Sequence, residues 1–243
     1  MEYLTGVSND YTRAAAQGDL FGQLGVLLGP ATFGGPGTKA DYSSHLGCYS
    51  SWGLDNGCFN GHEFDESKWL GRLEWIINEV PDAWERCSFA VAPDVVGDPV
   101  ATLKRSLPLL PKIRAAGAPA ALVLQDGAEL MLDRLPWGQF DVAFIGGGDE
   151  FKLGYPHHLE AARLPAYDPE SESTLDFMRL CWRCLEEGVE IHLGRCNSYT
   201  RMCYAVGIGA ESVDGTGVAF GGEKFLEQLS RWLPAINWQT AAA

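Results

Sequence analysis

Positive charge is scarce in this sequence. Lysine and arginine number 18 against 32 aspartates and glutamates, which leaves a net charge of −14. Such acidity favours solubility and opposes nonspecific attachment to phosphate backbones, so any nucleic-acid partner must be held by a local basic patch or by shape. Long apolar runs are missing as well. MEYLTGVSNDYTRAAAQGDL lacks the basic start and continuous apolar core of a secretory signal, and no later stretch approaches the roughly 20 apolar residues of a membrane helix. These absences predict a soluble, cytoplasmic protein with no membrane partner. The 7 cysteines are odd in number and scattered, which fits free thiols in a reducing compartment better than a disulfide framework. Repeats and low-complexity segments are absent too.

What the chain does contain is alternation. At 243 residues and 46% hydrophobic it can bury a full core as one domain. Short apolar runs recur at Tyr3–Val7, Leu24–Leu28, Trp52–Leu54, Phe89–Ala92, Ala120–Leu124, Val142–Ile145, Val189–Leu193 and Ser212–Val213. Helical stripes lie between several of them. Trp69, Leu73, Ile76, Ile77 and Val80 share one face after the acidic opening FDES, Leu175, Met178, Trp182 and Leu185 share another, and Phe225, Leu226, Leu229, Trp232 and Leu233 a third. Strand–helix alternation with near-continuous apolar strands means a parallel sheet covered by helices, and eight units point to an α/β fold of (β/α)8 type, a TIM-type barrel spanning 1–243. A doubly wound open sheet competes, but LLGPATFGGPG has neither the GxGxxG order nor the following helix that such a fold places after its first strand.

The polar residues at the strand ends decide for the barrel. Asp55 follows SWGL, Asp94 follows FAVAP, Gln125 follows ALVL, Gly146, Gly147 and Gly148 follow VAFI, His192 sits in VEIHLG and Asp214 follows ESV. In a barrel these carboxyl ends open on one face, where groups from different strands meet. One such residue alone reads as a helix cap or turn residue. Three aspartates and a glutamine after separate strands read as a site.

Three carboxylates in one cavity constrain the chemistry. A buried carboxylate is unfavourable unless donors satisfy it, and the donor is a metal, a basic ligand or the NH-rich edge of a bound molecule. Divalent metals in barrels favour clustered histidines, whereas His192 stands alone and His45, His62, His157 and His158 fall in loop-like sequence. A guanine-like base presents N1–H and an exocyclic amino group side by side, and one aspartate can accept both.

The ordered set GLDNGCF, VAPDVVGD, LVLQDG, FIGGGDEFKLG and HLGRCNSYTRMCYAVGIGAESVDGTG resembles the guanine transglycosylases, which exchange guanine for a 7-deazaguanine. It is most similar to the short DpdA-type enzymes, many from phages, that act on DNA. The resemblance covers about residues 50–217. It implies that Asp214, in SVDGTG, is the nucleophile and that Asp55, in the position of the aspartate of a DSGGF motif, is a general acid/base. By the same resemblance Asp94 reads the guanine edge, Gln125 matches the glutamine of VQGG, and Gly147 and Gly148 receive the base on their backbone. Asn56 and Phe59 belong to the same motif, and the flat base could stack on Phe59 or Trp52. The implied activity is a base-exchanging pentosyltransferase without cofactors. It replaces guanine in DNA with a free 7-deazaguanine base such as preQ0, a modification suited to protecting DNA against restriction.

The chain also departs from that pattern. The tRNA-acting enzymes carry a CxCxxC zinc cluster after the nucleophile; 29 residues follow Asp214 here and none is Cys or His, so no C-terminal zinc subdomain is expected. Cys181 and Cys184, three apart on a helix, read as core rather than metal ligands. Lys152, Arg195, Asn197 and Arg201 are the candidates for phosphate contacts at the open face. His192 either orients the sugar or packs with a satisfied ring, and Lys104 and Arg105 read as plain surface. Two alternatives stay open: the same exchange on tRNA, and a non-catalytic barrel that binds a purine or nucleic acid.

Overall fold

The computed structural model describes residues 1–18, 20, 22–29, 46–60, 63–153 and 172–241. His45, His62, His157, His158 and most of LLGPATFGGPG lie outside them. Among the described residues, eight parallel strands close into a barrel in sequence order. They are β1 (Glu2–Thr5), β2 (Leu24–Leu28), β3 (Trp52–Leu54), β4 (Cys87–Val91), β5 (Ala120–Leu124), β6 (Val142–Ile145), β7 (Glu190–Leu193) and β8 (Ser212–Gly215), with β1 and β8 paired to complete the ring. The helices are α1 (Asp10–Gln17), α2 (Glu66–Glu79), α3 (Pro99–Ser106), α4 (Leu110–Ala115), α5 (Asp149–Leu153), α6 (Glu172–Glu186), α7 (Tyr199–Gly207), α8 (Gly217–Phe220) and α9 (Gly222–Ala241). This is the expected (β/α)8 architecture. The strand bounds move little: β1 stops at Thr5 rather than Val7, while β8 runs on through Asp214 to Gly215. No described helix is long and apolar enough to cross a membrane.

Alternation along the strands divides the apolar residues into two cores. One set points into the barrel: Leu4, Leu27, Phe89, Val91, Ala121, Val123 and Val142, with Phe144 packed against them. The other, including Val26, Leu28, Trp52, Leu54, Ala90, Leu122, Ile145, Ile191 and Val213, packs outward against the helices. Gly53 shows why β3 is so short of bulk inside the barrel: a Cβ there would lie 2.9 Å from the Phe89 ring, which fills that space instead. The same pleat turns Trp52 outward, where it is fully buried and its indole N–H donates to the Ala83 carbonyl at 2.8 Å. Trp52 therefore cannot stack on a ligand, contrary to expectation.

The helix faces follow the sequence pattern with one exception. On α2, Trp69, Leu73 and Ile76 are buried, and Asp65 caps its first turn by accepting from the Lys68 N–H. On α6 the expected stripe is the wrong one. Leu175, Trp182 and Leu185 are exposed, Trp182 at 55%, while Phe177, Leu180, Cys181 and Cys184 face the barrel. Both sets have helical spacing; the inner one includes two cysteines, small apolar side chains that fit close to the strands. Burial pushes both thiols up, that of Cys184 to about 12, as expected for core residues.

Candidate functional site

The carboxyl ends of the strands open into a cavity of about 670 Å³. Its lining includes Asp55, Asn56 and Phe59 after β3, Asp94 after β4, Gln125 after β5, Gly146, Gly147 and Gly148 after β6, Gly194 and Arg195 after β7, and Asp214 on β8. Leu27, Val91, Val123 and Phe144 are also part of the wall. These four belong to the inner core, so the cavity has an apolar lining beneath a polar collar. A flat polar ring suits such a space: its faces meet apolar side chains and its edge meets the carboxylates.

Asp94 is buried and held from both sides. Its Oδ1 accepts from Asn56 Nδ2 at 2.9 Å, and its Oδ2 accepts from Gln125 Nε2 at 2.6 Å. The two amides are themselves fixed. Asn56 also donates to the Ala92 carbonyl at 2.8 Å and accepts from the Cys58 N–H, while Gln125 Oε1 accepts from the Gly97 N–H at 3.1 Å. A carboxylate has room for about four hydrogen bonds, so two protein donors leave Asp94 able to accept two more from a ligand. Asn56 is thus the support of Asp94 as much as a wall of the cavity.

Asp55 sits where burial dominates. Loss of water, with Asp214 and Asp94 adding their charges, pushes its carboxyl from 3.8 up to about 6; the N–H groups of Gly57 and Asn56 pull the other way without prevailing. About one molecule in ten holds a proton on Asp55 at pH 7 with such a value. That is the range in which a carboxyl can both give and take a proton.

Asp214 is the last inward-facing residue of β8. Its Oδ2 is 3.0 Å from His192 Nε2, and its Oδ1 accepts from the backbone N–H of Arg195 at 3.2 Å. Gly194 leaves room for this arrangement, since a Cβ there would stand 3.2 Å from Asp214 Oδ2 and 3.3 Å from the Phe144 ring. The glycine turn after β6 is just as tight. A Cβ on Gly147 would run into the Phe151 ring, and one on Gly148 would lie 2.9 Å from Asp126 Oδ1. Asp126 fastens the turn by accepting from the Gly148 N–H at 2.9 Å.

Several expected contact residues take other places. His192 is 0% exposed, packed inside the barrel below Asp214, so it touches no substrate. Lys152 is 1% exposed and donates to the Gly194 carbonyl at 2.9 Å; it cannot meet a phosphate at the open face. Burial, with help from Arg195, brings its ammonium down to about 8. Asn197 lines the cavity, but its Oδ1 accepts from the N–H groups of Thr216 at 3.0 Å and Gly217 at 2.9 Å, which ties the turn after β8. Arg201 pairs with the buried Asp149 at the rim, beside Ser198 and Asn197.

Arg195 stays exposed at the cavity edge. Its guanidinium donates to the Gly146 carbonyl at 3.2 Å and to that of Gly147, and it lies 5.2 Å from the centre of the Phe59 ring. Phe59, 64% exposed, lines the cavity mouth with Arg195 over its ring. Arg105 lies at the surface as expected, yet its guanidinium also donates to the Asp94 carbonyl at 2.8 Å. Its only sequence signal is its place one helix beyond Asp94. Asp126 had a clearer one, following Gln125 directly in LQDG.

No family model matches the chain, and no curated protein matches it either. Among solved structures it is similar to one titled a citrate lyase from Burkholderia xenovorans LB400, with a TM-score of 0.56 and 12% identity over 96% of this chain and 76% of that one. A likeness at that identity is one of fold, and it agrees with the barrel.

Proposed function

We propose that the protein is a DNA-guanine transglycosylase that exchanges guanine in DNA for a free 7-deazaguanine base such as preQ0. The observation that carries the reading is the convergence of Asp55, Asp94, Asp214, Gln125 and the Gly146–Gly148 turn on one cavity with an apolar wall. The order and strand context of those residues resemble the guanine transglycosylases, and DNA rather than tRNA rests on the similarity to the short DpdA-type members.

Each residue has a task in that chemistry. Asp94, preset by Asn56 and Gln125, accepts the N1–H and exocyclic amino hydrogens of guanine at about 1.5–3 kcal/mol per charge-assisted bond. The Gly146–Gly148 turn, fastened by Asp126 and Arg195, forms the wall against which the base would lie. Asp214 attacks C1′ of the deoxyribose with a carboxylate lone pair; the C1′–N9 bond breaks, its electrons leave with guanine, and Asp55 supplies the proton. The incoming base gives its ring proton back to Asp55 and attacks C1′, releasing Asp214 and retaining configuration. Guanine in a duplex must first be extruded, or the DNA must be single-stranded. Arg195, Phe59 and the Arg201 rim lie where the backbone and the base face would pass.

The test is exchange of labelled guanine into DNA and into tRNA side by side. Incorporation into DNA supports the reading. Incorporation into tRNA alone moves the substrate, and base binding without any incorporation makes the barrel a binder.

A further inference from the structure

His192 belongs to neither face of the proposed reaction, yet it is an unusual residue to find inside a barrel. Its ring lies between Phe89, 4.8 Å away, and Phe144, 4.6 Å away, centre to centre, in a layer otherwise built from leucine, valine and alanine. An imidazole in apolar surroundings is unfavourable unless both nitrogens are bonded. Both are. Nδ1 is 2.8 Å from Ser212 Oγ and Nε2 is 3.0 Å from Asp214 Oδ2. The strand register makes this possible: His192 pairs directly with Ser212 across β7 and β8, and Asp214 is two residues further along the same inward face.

We propose that His192 is the positioning residue of Asp214, holding the attacking carboxylate in a fixed plane; the inference rests on the reading of Asp214 as nucleophile. A carboxylate can only accept at Oδ2, so the ring carries its proton on Nε2. In the neutral ring Nδ1 then accepts from the Ser212 hydroxyl, which fixes the tautomer from the other side. The second oxygen is held independently. Arg195 adopts a left-handed backbone, φ 65°, which a non-glycine side chain disfavours, and in that conformation its N–H meets Asp214 Oδ1. One donor on each oxygen removes the rotation that a lone aspartate would have about its terminal bond, and the remaining lone pairs are left to the cavity that Asp214 lines.

The arrangement serves both displacements. Attack on C1′ needs the oxygen within a few tenths of an ångström of its line, and misplacement of about 1 Å costs on the order of 100-fold in rate. In the second step the same two donors stabilise the carboxylate as it leaves. No atom is transferred to or from His192. Its proton stays on Nε2 throughout, so it acts only through Asp214.

Two substitutions separate positioning from packing. His192→Phe keeps a flat ring between Phe89 and Phe144 but removes the donor; His192→Gln returns an N–H near the Nε2 position. The expected result is a kcat for guanine exchange about 100-fold lower in His192→Phe, with KM for base and DNA within about threefold of the parent. His192→Gln should recover about tenfold of that loss. Ring ¹⁵N chemical shifts of the unmodified protein should show Nε2 protonated. Parent-like kcat in His192→Phe, or equal losses in the Phe and Gln variants, or a ring protonated on Nδ1 alone, would overturn the inference. An unmodified protein with no exchange at all overturns the transglycosylase reading itself, so the two failures are distinct.

Discussion

Replacing Asp55 by asparagine should stabilise the protein while removing its activity, and the gain should depend on pH. The native carboxyl titrates near 6 against an ordinary value of 3.8, because burial and the charges of Asp214 and Asp94 disfavour its ionised form. A native value above the unfolded one means that the folded protein binds the proton more tightly between about pH 4 and 6. Stability therefore falls as pH rises through that window, and the full penalty remains above it. Its size follows from the two values: about 3 kcal/mol at pH 7.5, and about 0.5 kcal/mol at pH 4. Asparagine carries no charge, nearly matches the shape, and its Oδ1 can still accept from the Gly57 and Asn56 N–H groups that reach Asp55. Urea unfolding of the two proteins from pH 4 to 7.5 should thus show the variant pulling ahead by about 2–3 kcal/mol as pH rises. A difference that is flat with pH, or a variant less stable at pH 7.5, would refute the assignment of Asp55 as a buried, charge-strained acid.

Asp94→Asn sets an NH2 against one of the two amide donors that Asp94 now accepts from, so it should cost about 1–3 kcal/mol of stability and weaken guanine binding by about 10- to 100-fold, as one charge-assisted bond at about 1.5–3 kcal/mol is lost; thermal melts and calorimetric titration with the free base read the two effects. Lys152→Met removes a buried ammonium whose native value, about 8, lies below the ordinary 10.5. In the parent this group opposes folding below pH 8 and ceases to do so as pH rises to about 10.5, so the stability advantage of the variant should shrink by about 3 kcal/mol across that window in paired melts. A constant difference would show that burial does not hold the Lys152 ammonium below its ordinary value.

The barrel was legible because its evidence is repeated eight times. Each apolar run is bounded by polar residues, and an error of one or two positions, as at Val7 or Ser212–Val213, does not change the topology. The positions of Asp55, Asp94, Gln125 and Asp214 followed from the same counting, since a parallel barrel sends every strand end to one face. Inward and outward were not legible in short strands. In WGL a glycine occupies the inward position and the tryptophan faces the helices, a choice made by Phe89 from the neighbouring strand. Lys152 was misplaced for a related reason: lysine is common at surfaces and polar rims, and only a tertiary neighbour, the Gly194 carbonyl, makes the interior tolerable for it; of the two readings of His192, the packed and satisfied ring is the one found. On α6 two stripes of equal period competed, and no count of spacing separates them.

The most direct measurement is nucleoside mass spectrometry of DNA incubated with the protein and preQ0, run with the parent and with Asp214→Ala. The parent should yield the 7-deazaguanine deoxynucleoside at the expense of deoxyguanosine together with a protein–DNA adduct on denaturing gels, and Asp214→Ala should yield neither. Unmodified DNA with the parent, or modified DNA with Asp214→Ala, would contradict the assignment of this cavity to base exchange through Asp214.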